Sequence, residues 1–281
     1  MKLDEMDLGP HWRARLVANE PLTPAGTQDE VRELQLELDT PGFEFLIGQS
    51  VAVLIAGPLD FGQQHHVRLY SIASTPMELG PGRISLCVLR CSYIDPYSGE
   101  RYPGTASNYL CDLAEGSELL LAGPVGLPFE VPADDTSPLI MIGLGTGFAP
   151  LRALLRHIYE ERGGWSGRVL LFHGARTGLE IVYRDLVAGL ASEPEGIEAV
   201  EVVSPRPAWG EPADIASALE RHRSELWGLL EGLTTHVYVA GRAAVAAELD
   251  HVLSAPAGGA DAWSAHKEKM AADGRWMELL Y

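Results

Sequence analysis

A cation, a phenol and a hydroxyl stand together in the run Arg-Leu-Tyr-Ser-Ile-Ala-Ser at residues 68–74. In an extended strand, Arg68 and Tyr70 point to one face, while Leu69 and Ser71 point to the other. A guanidinium can hold a phosphate through two parallel hydrogen bonds, and a tyrosine can stack on an aromatic ring. A flavin nucleotide is both phosphorylated and aromatic, so it suits this run. The alternative is an ordinary strand with one exposed arginine.

A glycine-rich turn, Gly-Leu-Gly-Thr-Gly-Phe-Ala-Pro at residues 143–150, joins a buried strand to a helix. Gly145 and Gly147 let the backbone turn tightly and let a ligand come close. Pro150 suits the first turn of a helix, and a helix N-terminus favours an anion such as a pyrophosphate. The spacing differs from the common G-x-G-x-x-G turn. A nucleotide site and a plain strand-to-helix turn therefore both remain open.

The chain is strongly acidic, with a formal net charge of −18 over 281 residues. Residues 1–137 carry −12 of this charge and residues 138–281 carry −6. Because nucleic acid binding requires a basic surface, we expect no nucleic acid partner. The three cysteines are too few for a four-thiolate iron–sulfur cluster. We therefore predict no metal site, and any iron–sulfur chemistry would belong to a partner.

The sequence gives no sign of a membrane anchor or an export signal. No apolar run approaches the roughly 18 residues that a membrane span requires. The first seven residues are acidic and lack an apolar core, unlike a secretory signal. We therefore expect a cytoplasmic protein with no membrane partner.

The first half of the chain has short apolar or alternating runs separated by Gly and Pro. This pattern favours an antiparallel β-barrel or sandwich. Besides the run at 68–74, the predicted strands are 31–38, 51–56, 83–90 and 119–122. One helix is predicted at 107–113, with Ser107 as its N-cap.

The second half alternates strand and helix, which predicts a parallel sheet with helices on both faces. The predicted strands are 138–142, 168–173, 197–203 and 236–241. The predicted helices are 151–161, 183–190, 214–230, 243–253 and 262–272. A polar, acidic link from Pro132 to Pro138 sets the boundary, so the predicted domains are 1–135 and 136–281.

Taken in order, these motifs resemble the ferredoxin–NADP reductase family, in its plant-like branch. Arg68 to Ser71 matches the family's R-x-Y-S flavin motif, and residues 104–108 resemble its second flavin motif. Residues 145–150 match its G-T-G-x-A-P nicotinamide motif. Tyr281 matches a C-terminal aromatic that lies over the flavin ring. The resemblance implies an N-terminal FAD-binding β-barrel and a C-terminal, Rossmann-like NADP-binding α/β domain.

The resemblance also assigns roles to single residues. Arg68 would bind FAD phosphate, Tyr70 would stack on the flavin, and Ser71 would lie beside flavin N5. The further FAD contacts would be Leu69, Cys87, Val88, Arg90, Tyr93, Thr105, Ala106 and Ser107, with Tyr93 stacking on the adenine. The nicotinamide nucleotide would meet Gly145, Thr146, Gly147, Arg176, Ser204, Arg206 and Gly241. The catalytic group would comprise Ser71, Tyr281 and Glu278.

The implied reaction is hydride transfer from NADPH to FAD, followed by release of single electrons to a ferredoxin-type iron–sulfur protein. Ser204 and Arg206 resemble the family's element for the 2′-phosphate, which favours NADP over NAD. Tyr281 would move aside to admit the nicotinamide. The ferredoxin of this family is acidic, and the flavin half of this chain is acidic too, so the two would repel each other. A small basic patch, including Arg13, Arg15, Arg90 and Arg101, would be needed to dock it.

Three positions depart from the family pattern. Ala240 stands where the family has a cysteine near the nicotinamide, and Leu89 replaces a lysine that helps to bind NADP phosphates. Leu279 stands where plant members have a glutamate, and Glu278 precedes it. Two alternatives therefore stay open. One is the reductase component of an oxygenase system, and the other is a catalytically weakened flavin-binding regulatory subunit.

Overall fold

The computed structural model describes residues 9–39, 42–56, 65–193, 196–204 and 214–281. Two compact units result, namely Met1–Pro128 with Arg152–Leu154, and Phe129–Leu151 with Leu155–Tyr281. The division falls before the predicted boundary at residue 135 because Phe129 and Glu130 already pack in the second unit. The Phe129 ring lies edge-on to Tyr238, with 5.4 Å between centroids. The Tyr238 hydroxyl donates to the Glu130 carbonyl at 2.7 Å.

The strands of the first unit are β1 (His11–Pro21), β2 (Val31–Leu38), β3 (Ser50–Ala56), β4 (His65–Ser71), β5 (Arg83–Leu89), β6 (Ser92–Ile94), β7 (Arg101–Pro103) and β8 (Glu118–Val125). Six of them form one antiparallel sheet in the order β4-β3-β8-β1-β2-β5. A bridge between Ile72 and Leu86 joins the two edges, and the Ala73 amide donates to the Ser85 carbonyl at 2.8 Å. The sheet therefore curls into the predicted antiparallel barrel.

Period-two alternation accounts for the core of this barrel. In β2 the leucines at 34, 36 and 38 are buried, and they pack with Val51 and Val53 of β3. The same alternation runs through β1, where Ala14 and Leu16 are fully buried. The sequence predictions omitted β1, although its pattern of alternating arginines and apolar residues carries the signal.

A short hairpin and a helix interrupt the barrel between β5 and β8. The sequence predictions assign no strand to the stretch 92–104, but β6 and β7 pair there in antiparallel register. The helix α1 (Thr105–Asp112) follows, with Gly104 as its N-cap. The prediction of Ser107 as the N-cap was wrong, because Ser107 lies in the first turn of the helix.

The second unit has five parallel strands in its sheet, among the residues that the structure describes. They are β9 (Leu139–Leu144), β10 (Val169–Gly174), β11 (Glu198–Val202), β12 (His236–Gly241) and β13 (Trp276–Leu280). Their order is β11-β10-β9-β12-β13, as expected for a doubly wound fold. The sequence predictions did not include β13 among the strands.

The helices of the second unit are α2 (Ala149–Arg156), α3 (Arg184–Ser192), α4 (Ile215–Arg221), α5 (Arg223–Leu230), α6 (Ala243–Ser254) and α7 (Ala260–Ala272). Two short 3₁₀ turns, Gly145–Phe148 and Gly178–Glu180, follow β9 and β10. The predicted helix at 214–230 is broken at His222, and α2 ends in a π-helical turn, His157–Glu161. No described helix has the length and apolar character needed to cross a membrane.

Candidate active site

Arg68 lies on β4, opposite Val53 of β3. Its side chain is exposed, and its Nη1 donates to the Val67 carbonyl at 2.9 Å. Among the described residues no carboxylate pairs with it. Other arginines of this unit do pair with carboxylates, namely Arg13, Arg15, Arg32, Arg83 and Arg90. A guanidinium without an internal anion can take a phosphate.

Tyr70 and Ser71 follow on the same strand. Tyr70 is half-buried and packs against the barrel core, and burial raises the pKa of its hydroxyl. The phenol therefore remains neutral at physiological pH. Ser71 is half-buried and pairs with Ser50, while Leu69 is exposed. Four consecutive residues thus present a cation, an amphipathic ring and a hydroxyl.

The start of α1 is a second anion-binding element in the same unit. No described side chain caps this helix, and its first turn has no acidic residue. The first amides of a helix lack intrahelical partners, and the helix dipole favours an anion there. A Cβ on Gly104 would lie 3.1 Å from the Ser107 Oγ and 3.3 Å from the Cys91 carbonyl. Gly104 therefore packs closely against Ser107 and Cys91, and the helix that begins at Thr105 can offer its first amides to an anion.

The Ser107 hydroxyl is used inside the protein. It is buried and accepts a hydrogen bond from the Cys91 amide at 3.0 Å. Asn108 adds two bonds, donating to the Cys91 carbonyl at 2.8 Å and the Gly104 carbonyl at 2.9 Å. Ser107 thus fixes the helix start, and its backbone amide is the group that it can offer to a ligand.

The strand β5 brings three further predicted residues close to α1, which contacts both β4 and β5. Cys87 and Val88 are buried, and Val88 belongs to the barrel core. Only their backbone can therefore meet a ligand. Arg90 follows β5 and is fully engaged. It donates to Glu30 at 2.8 Å and to Asp112 at 2.8 Å, and these carboxylates raise its pKa.

Tyr93 lies on the β6–β7 hairpin and is exposed. Its ring stacks on Tyr102 of β7, with 5.7 Å between centroids and 26° between planes. The hairpin therefore presents a flat aromatic pair to solvent, a surface on which a base can stack. Because the sequence predictions assigned no strand pairing to Tyr93, they did not identify Tyr102 as its partner.

The glycine-rich turn of the second unit is packed tightly. Gly145 has φ +55, in the left-handed region that glycine tolerates. A Cβ on Gly147 would lie 2.6 Å from the Ala240 carbonyl oxygen and 2.7 Å from the Gly241 Cα. Only glycine therefore allows the turn to rest on the end of β12.

Tyr281 closes this corner of the second unit. Its amide donates to the Gly241 carbonyl at 3.0 Å, and its own carbonyl accepts from Ala243 at 3.4 Å. Its hydroxyl lies 3.2 Å from the Thr146 Oγ1. The ring is nevertheless 62% exposed, so it can move without disturbing a packed core. The structure thus brings together Gly145, Thr146, Gly147, Gly241 and Tyr281.

Arg176 and Ser204 lie together where β10 and β11 end. The Ser204 amide donates to the Arg176 carbonyl at 3.2 Å. The Arg176 guanidinium is buried and donates to Glu180 at 3.4 Å, and Glu180 is also buried. The Ser204 hydroxyl accepts from the Asp214 amide at 3.1 Å. Arg206 lies outside the described residues.

Glu278 is engaged with two side chains of the second unit. Its Oε1 accepts from the Trp276 indole at 2.6 Å and lies 2.6 Å from the Lys267 Nζ. The sequence predictions named Glu278 but missed Lys267. Helical spacing carries a signal for Lys267, because Trp263 and Met270 lie four residues before it and three after it, and both are buried.

Comparisons with known proteins agree with this arrangement. A family model described as an oxidoreductase NAD-binding domain matches residues 141–250. A ferredoxin–NADP reductase from Spirulina sp is 32% identical over 277 residues, covering 95% of this chain and 94% of that protein. A ferredoxin–NADP reductase from Thermosynechococcus vestitus is also 32% identical, covering 95% of this chain and 72% of that protein.

The chain belongs to the ferredoxin–NADP reductase family. A solved structure of a ferredoxin–NADP⁺ reductase from Plasmodium falciparum has the same fold, with a TM-score of 0.73 at 18% identity, covering 96% of this chain and 95% of that one. The predicted family, fold class and enzyme class are thereby confirmed. The chain is an oxidoreductase of an FAD-dependent family whose second domain binds NADP.

Proposed function

We propose that this chain oxidises NADPH at a bound FAD and passes the electrons singly to a ferredoxin-type iron–sulfur protein. One observation carries the proposal. Arg68 has no carboxylate partner among the described residues, and the start of α1 in the same unit has no side-chain cap. Because α1 contacts β4, which carries Arg68 and Tyr70, two anion-binding elements and an aromatic ring occur on adjoining parts of the barrel. When bound, FAD supplies the two-electron acceptance and the one-electron release that side chains cannot provide.

In the first unit, the Arg68 guanidinium and the amides of residues 105–107 hold the FAD phosphates. Tyr70 stacks on the flavin and Ser71 offers its hydroxyl near the atom that receives the hydride. Cys87 and Val88 contribute backbone groups. Arg90 fixes the loop that leads to α1 through its bonds to Glu30 and Asp112. Tyr93 provides the surface for the adenine, supported by Tyr102.

In the second unit, Gly145 and Gly147 let the nucleotide pyrophosphate approach the backbone, and Thr146 contacts it. Ser204 and Arg206 serve the adenosine 2′-phosphate, which favours NADP over NAD, and Arg176 contributes by holding the Ser204 amide through its carbonyl. Tyr281 covers the nicotinamide position and leaves when the coenzyme binds. Glu278 acts on this site through the strand that carries Tyr281. The relatives named above act on NADP by name, which supports this coenzyme choice.

An anaerobic titration followed by the visible spectrum tests the proposal. The purified protein should be yellow and should bleach with about one equivalent of NADPH, and with a larger excess of NADH. A protein that stays colourless after incubation with FAD would overturn it. So would a yellow protein that neither NADPH nor NADH bleaches, since that result fits a flavin-binding regulatory subunit instead.

A second candidate is a reductase for an oxygenase system or another non-acidic acceptor. The pairing of Arg13 with Glu118, Arg15 with Glu37 and Arg90 with Asp112 favours it. These pairs offset the charge of three of the four arginines in the basic patch that an acidic ferredoxin would need. Rapid reduction of ferricyanide by NADPH is expected of both kinds of reductase and not of a catalytically weakened regulatory subunit. A cytoplasmic location stays a prediction from the sequence.

A further inference from the structure

Among the residues that the structure describes, the C-terminal strand β13 has a strand neighbour on one side only. It is the edge strand of its sheet and pairs with β12, from Trp276 opposite Val237 to Leu280 opposite Gly241. Edge segments with one hydrogen-bonded neighbour are among the first parts of a fold to open. Tyr281 is the next residue after this strand. Side-chain contacts that secure β13, in addition to its pairing with β12, therefore affect how firmly the final ring is held.

Lys267 of α7 provides such a contact, through the Trp276 and Glu278 side chains, which share one face of the strand. Its Nζ lies 2.6 Å from the Glu278 Oε1 and 3.0 Å from the Asp250 Oδ1, so it joins β13 to α6. The ammonium also lies over the Trp276 ring, 5.1 Å from the centroid. Burial lowers the pKa of Lys267, but the two carboxylates outweigh burial and the net pKa is raised. The lysine is therefore charged throughout the physiological range.

Tryptophans complete this attachment, which we call the Lys267 clamp. It comprises Lys267, Glu278, Asp250 and the indoles of Trp263 and Trp276. The Trp276 indole donates to Glu278 at 2.6 Å, and the Trp263 indole donates to Asp250 at 2.8 Å. The two indoles meet edge to face at 5.5 Å. Both rings are buried, so the charged groups of the clamp rest on a rigid apolar base.

We infer that Lys267 is a positioning residue, which holds Tyr281 against Thr146 through β13 and so sets the cost of uncovering the nicotinamide position. This inference rests on the proposed function of Tyr281 as a cover. Glu278 belongs to the same device, which gives it a role through Lys267 in place of the direct catalytic role that the resemblance implies. A coenzyme that binds only the uncovered state has an apparent dissociation constant equal to its intrinsic value divided by the fraction of uncovered molecules.

Loosening the clamp should therefore tighten binding of nicotinamide coenzymes. A partly exposed ion pair contributes little, so the change expected for Lys267→Met is about a two- to fivefold lower dissociation constant. NADP⁺ and NAD⁺ should shift by the same factor, because the clamp lies away from the adenosine end. Lys267→Arg should restore the original affinity, and Glu278→Gln should resemble Lys267→Met.

The experiment uses the FAD-loaded enzyme and difference spectra of the bound flavin during titration with NADP⁺ and NAD⁺. Lys269→Met is the matched control, because Lys269 is exposed on the same helix and the charge change is identical. Thermal unfolding of each variant shows whether it is folded at the titration temperature. If Lys267→Met is not, Lys267→Gln replaces it.

Tyr281→Ser distinguishes a failure of the clamp inference from a failure of the proposed role of Tyr281 as a cover. It should raise the affinity for NADP⁺, and adding Lys267→Met to it should change nothing more, since the cover is already gone. If Tyr281→Ser raises affinity but Lys267→Met behaves like Lys269→Met, the clamp inference is wrong and the proposed function stands. If Tyr281→Ser leaves NADP⁺ affinity unchanged, the cover itself is wrong and the inference falls with it. Additive effects in the double variant would also overturn the inference.

Discussion

The hydroxyl of Tyr281 lies 3.2 Å from the Oγ1 of Thr146, and 135 residues of chain separate the two. One belongs to the last position of the chain and the other to the glycine-rich turn after the first parallel strand. The contact is a single, exposed hydrogen bond, worth about 1 kcal/mol or less. It is strong enough to place the ring and weak enough to be replaced by a ligand.

Tyr281→Ser should bind NADP⁺ more tightly than the unmodified enzyme, because the coenzyme no longer displaces a ring. Slow release of the tightly bound product NADP⁺ can then limit turnover with NADPH. Because NAD⁺ binds more weakly and leaves faster, turnover with NADH is not limited in this way, and the difference in kcat between the two coenzymes should narrow. Titration and steady-state kinetics with both coenzymes measure this. Tyr281→Phe is the control, since it removes only the bond to Thr146 and should change affinity by less than about fivefold. Unchanged affinity in the serine variant would contradict the prediction.

Arg68→Gln should weaken FAD binding without unfolding the barrel. A charge-assisted bond to phosphate contributes about 1.5–3 kcal/mol, which corresponds to roughly a ten- to hundredfold higher dissociation constant for FAD. Flavin fluorescence on dilution measures the release. Arg13→Gln is the matched control, because Arg13 is an exposed arginine of the same unit and lies on β1, which carries none of the proposed FAD contacts. Equal FAD retention by both variants would count against Arg68 as a phosphate ligand.

Much of the architecture could be predicted because the patterns were local. The alternation in β2 gave its bounds to the residue, Val31–Leu38, and the apolar run ending at Gly241 gave those of β12. The Gly-rich turn was recognisable because its glycines are needed for backbone contact with β12. Each of these features depends on side chains that are close in sequence.

The features that escaped prediction depend on distant residues. The Arg90 interactions with Glu30 and Asp112 span 60 and 22 positions, so the sequence could not show that this cation is already neutralised. The Lys267 clamp unites α6, α7 and β13 in the same way. The N-cap was misplaced by three residues because Ser107 has the right side chain for a cap, but its hydroxyl is used by Cys91. At that position a hydrogen bond to a distant residue, and not the local preference for a capping side chain, determines where the helix begins.

Salt should not slow the reduction of an acidic iron–sulfur protein by this enzyme. Residues 1–137 carry a net charge of −12, and Arg13, Arg15 and Arg90 are paired with carboxylates. Screening of like charges should leave the rate constant for an acidic ferredoxin unchanged or raise it between about 20 and 300 mM salt. Stopped-flow reduction measures this, with a basic protein acceptor as the control, whose rate should fall. A steep fall with the acidic partner would instead reveal a functional basic patch.

The Glu30–Arg90 pair should give a stability contribution that depends on pH. The hydrogen bond from Arg90 holds the pKa of Glu30 below its ordinary value of 4.5. A lowered folded pKa means that the pair stabilises the fold above about pH 4.5 and ceases to do so as the pH falls through the lowered value. Glu30→Gln should therefore cost up to about 1 kcal/mol at pH 7, since the carboxylate is partly exposed, and nothing once Glu30 is protonated.

Urea unfolding at pH 7 and at successive values below 4.5 measures this difference. Glu20→Gln is the control, because Glu20 is exposed on β1 of the same barrel and has no ion pair in the described part of the chain. A Glu30→Gln penalty that persists unchanged in acid would show that packing, and not the charge, is responsible.

Gly147→Ala should damage the nicotinamide site more than any neighbouring glycine substitution. The new methyl group would lie 2.6 Å from the Ala240 carbonyl oxygen and 2.7 Å from the Gly241 Cα, and both are backbone atoms of β12 that cannot rotate away. The turn must then withdraw, which shifts Thr146 away from Tyr281. We expect a loss of about 1–3 kcal/mol in stability and a weaker affinity for NADP⁺.

Gly178→Ala is the matched control, because a Cβ there meets nothing within 4 Å and the backbone needs no left-handed conformation. It should be neutral or slightly stabilising. Unfolding curves and NADP⁺ titrations of the two variants decide the matter. If Gly147→Ala matched Gly178→Ala in both, the turn would have room to spare against β12. The close contact that aligns Thr146, Gly241 and Tyr281 would then not be what shapes this site.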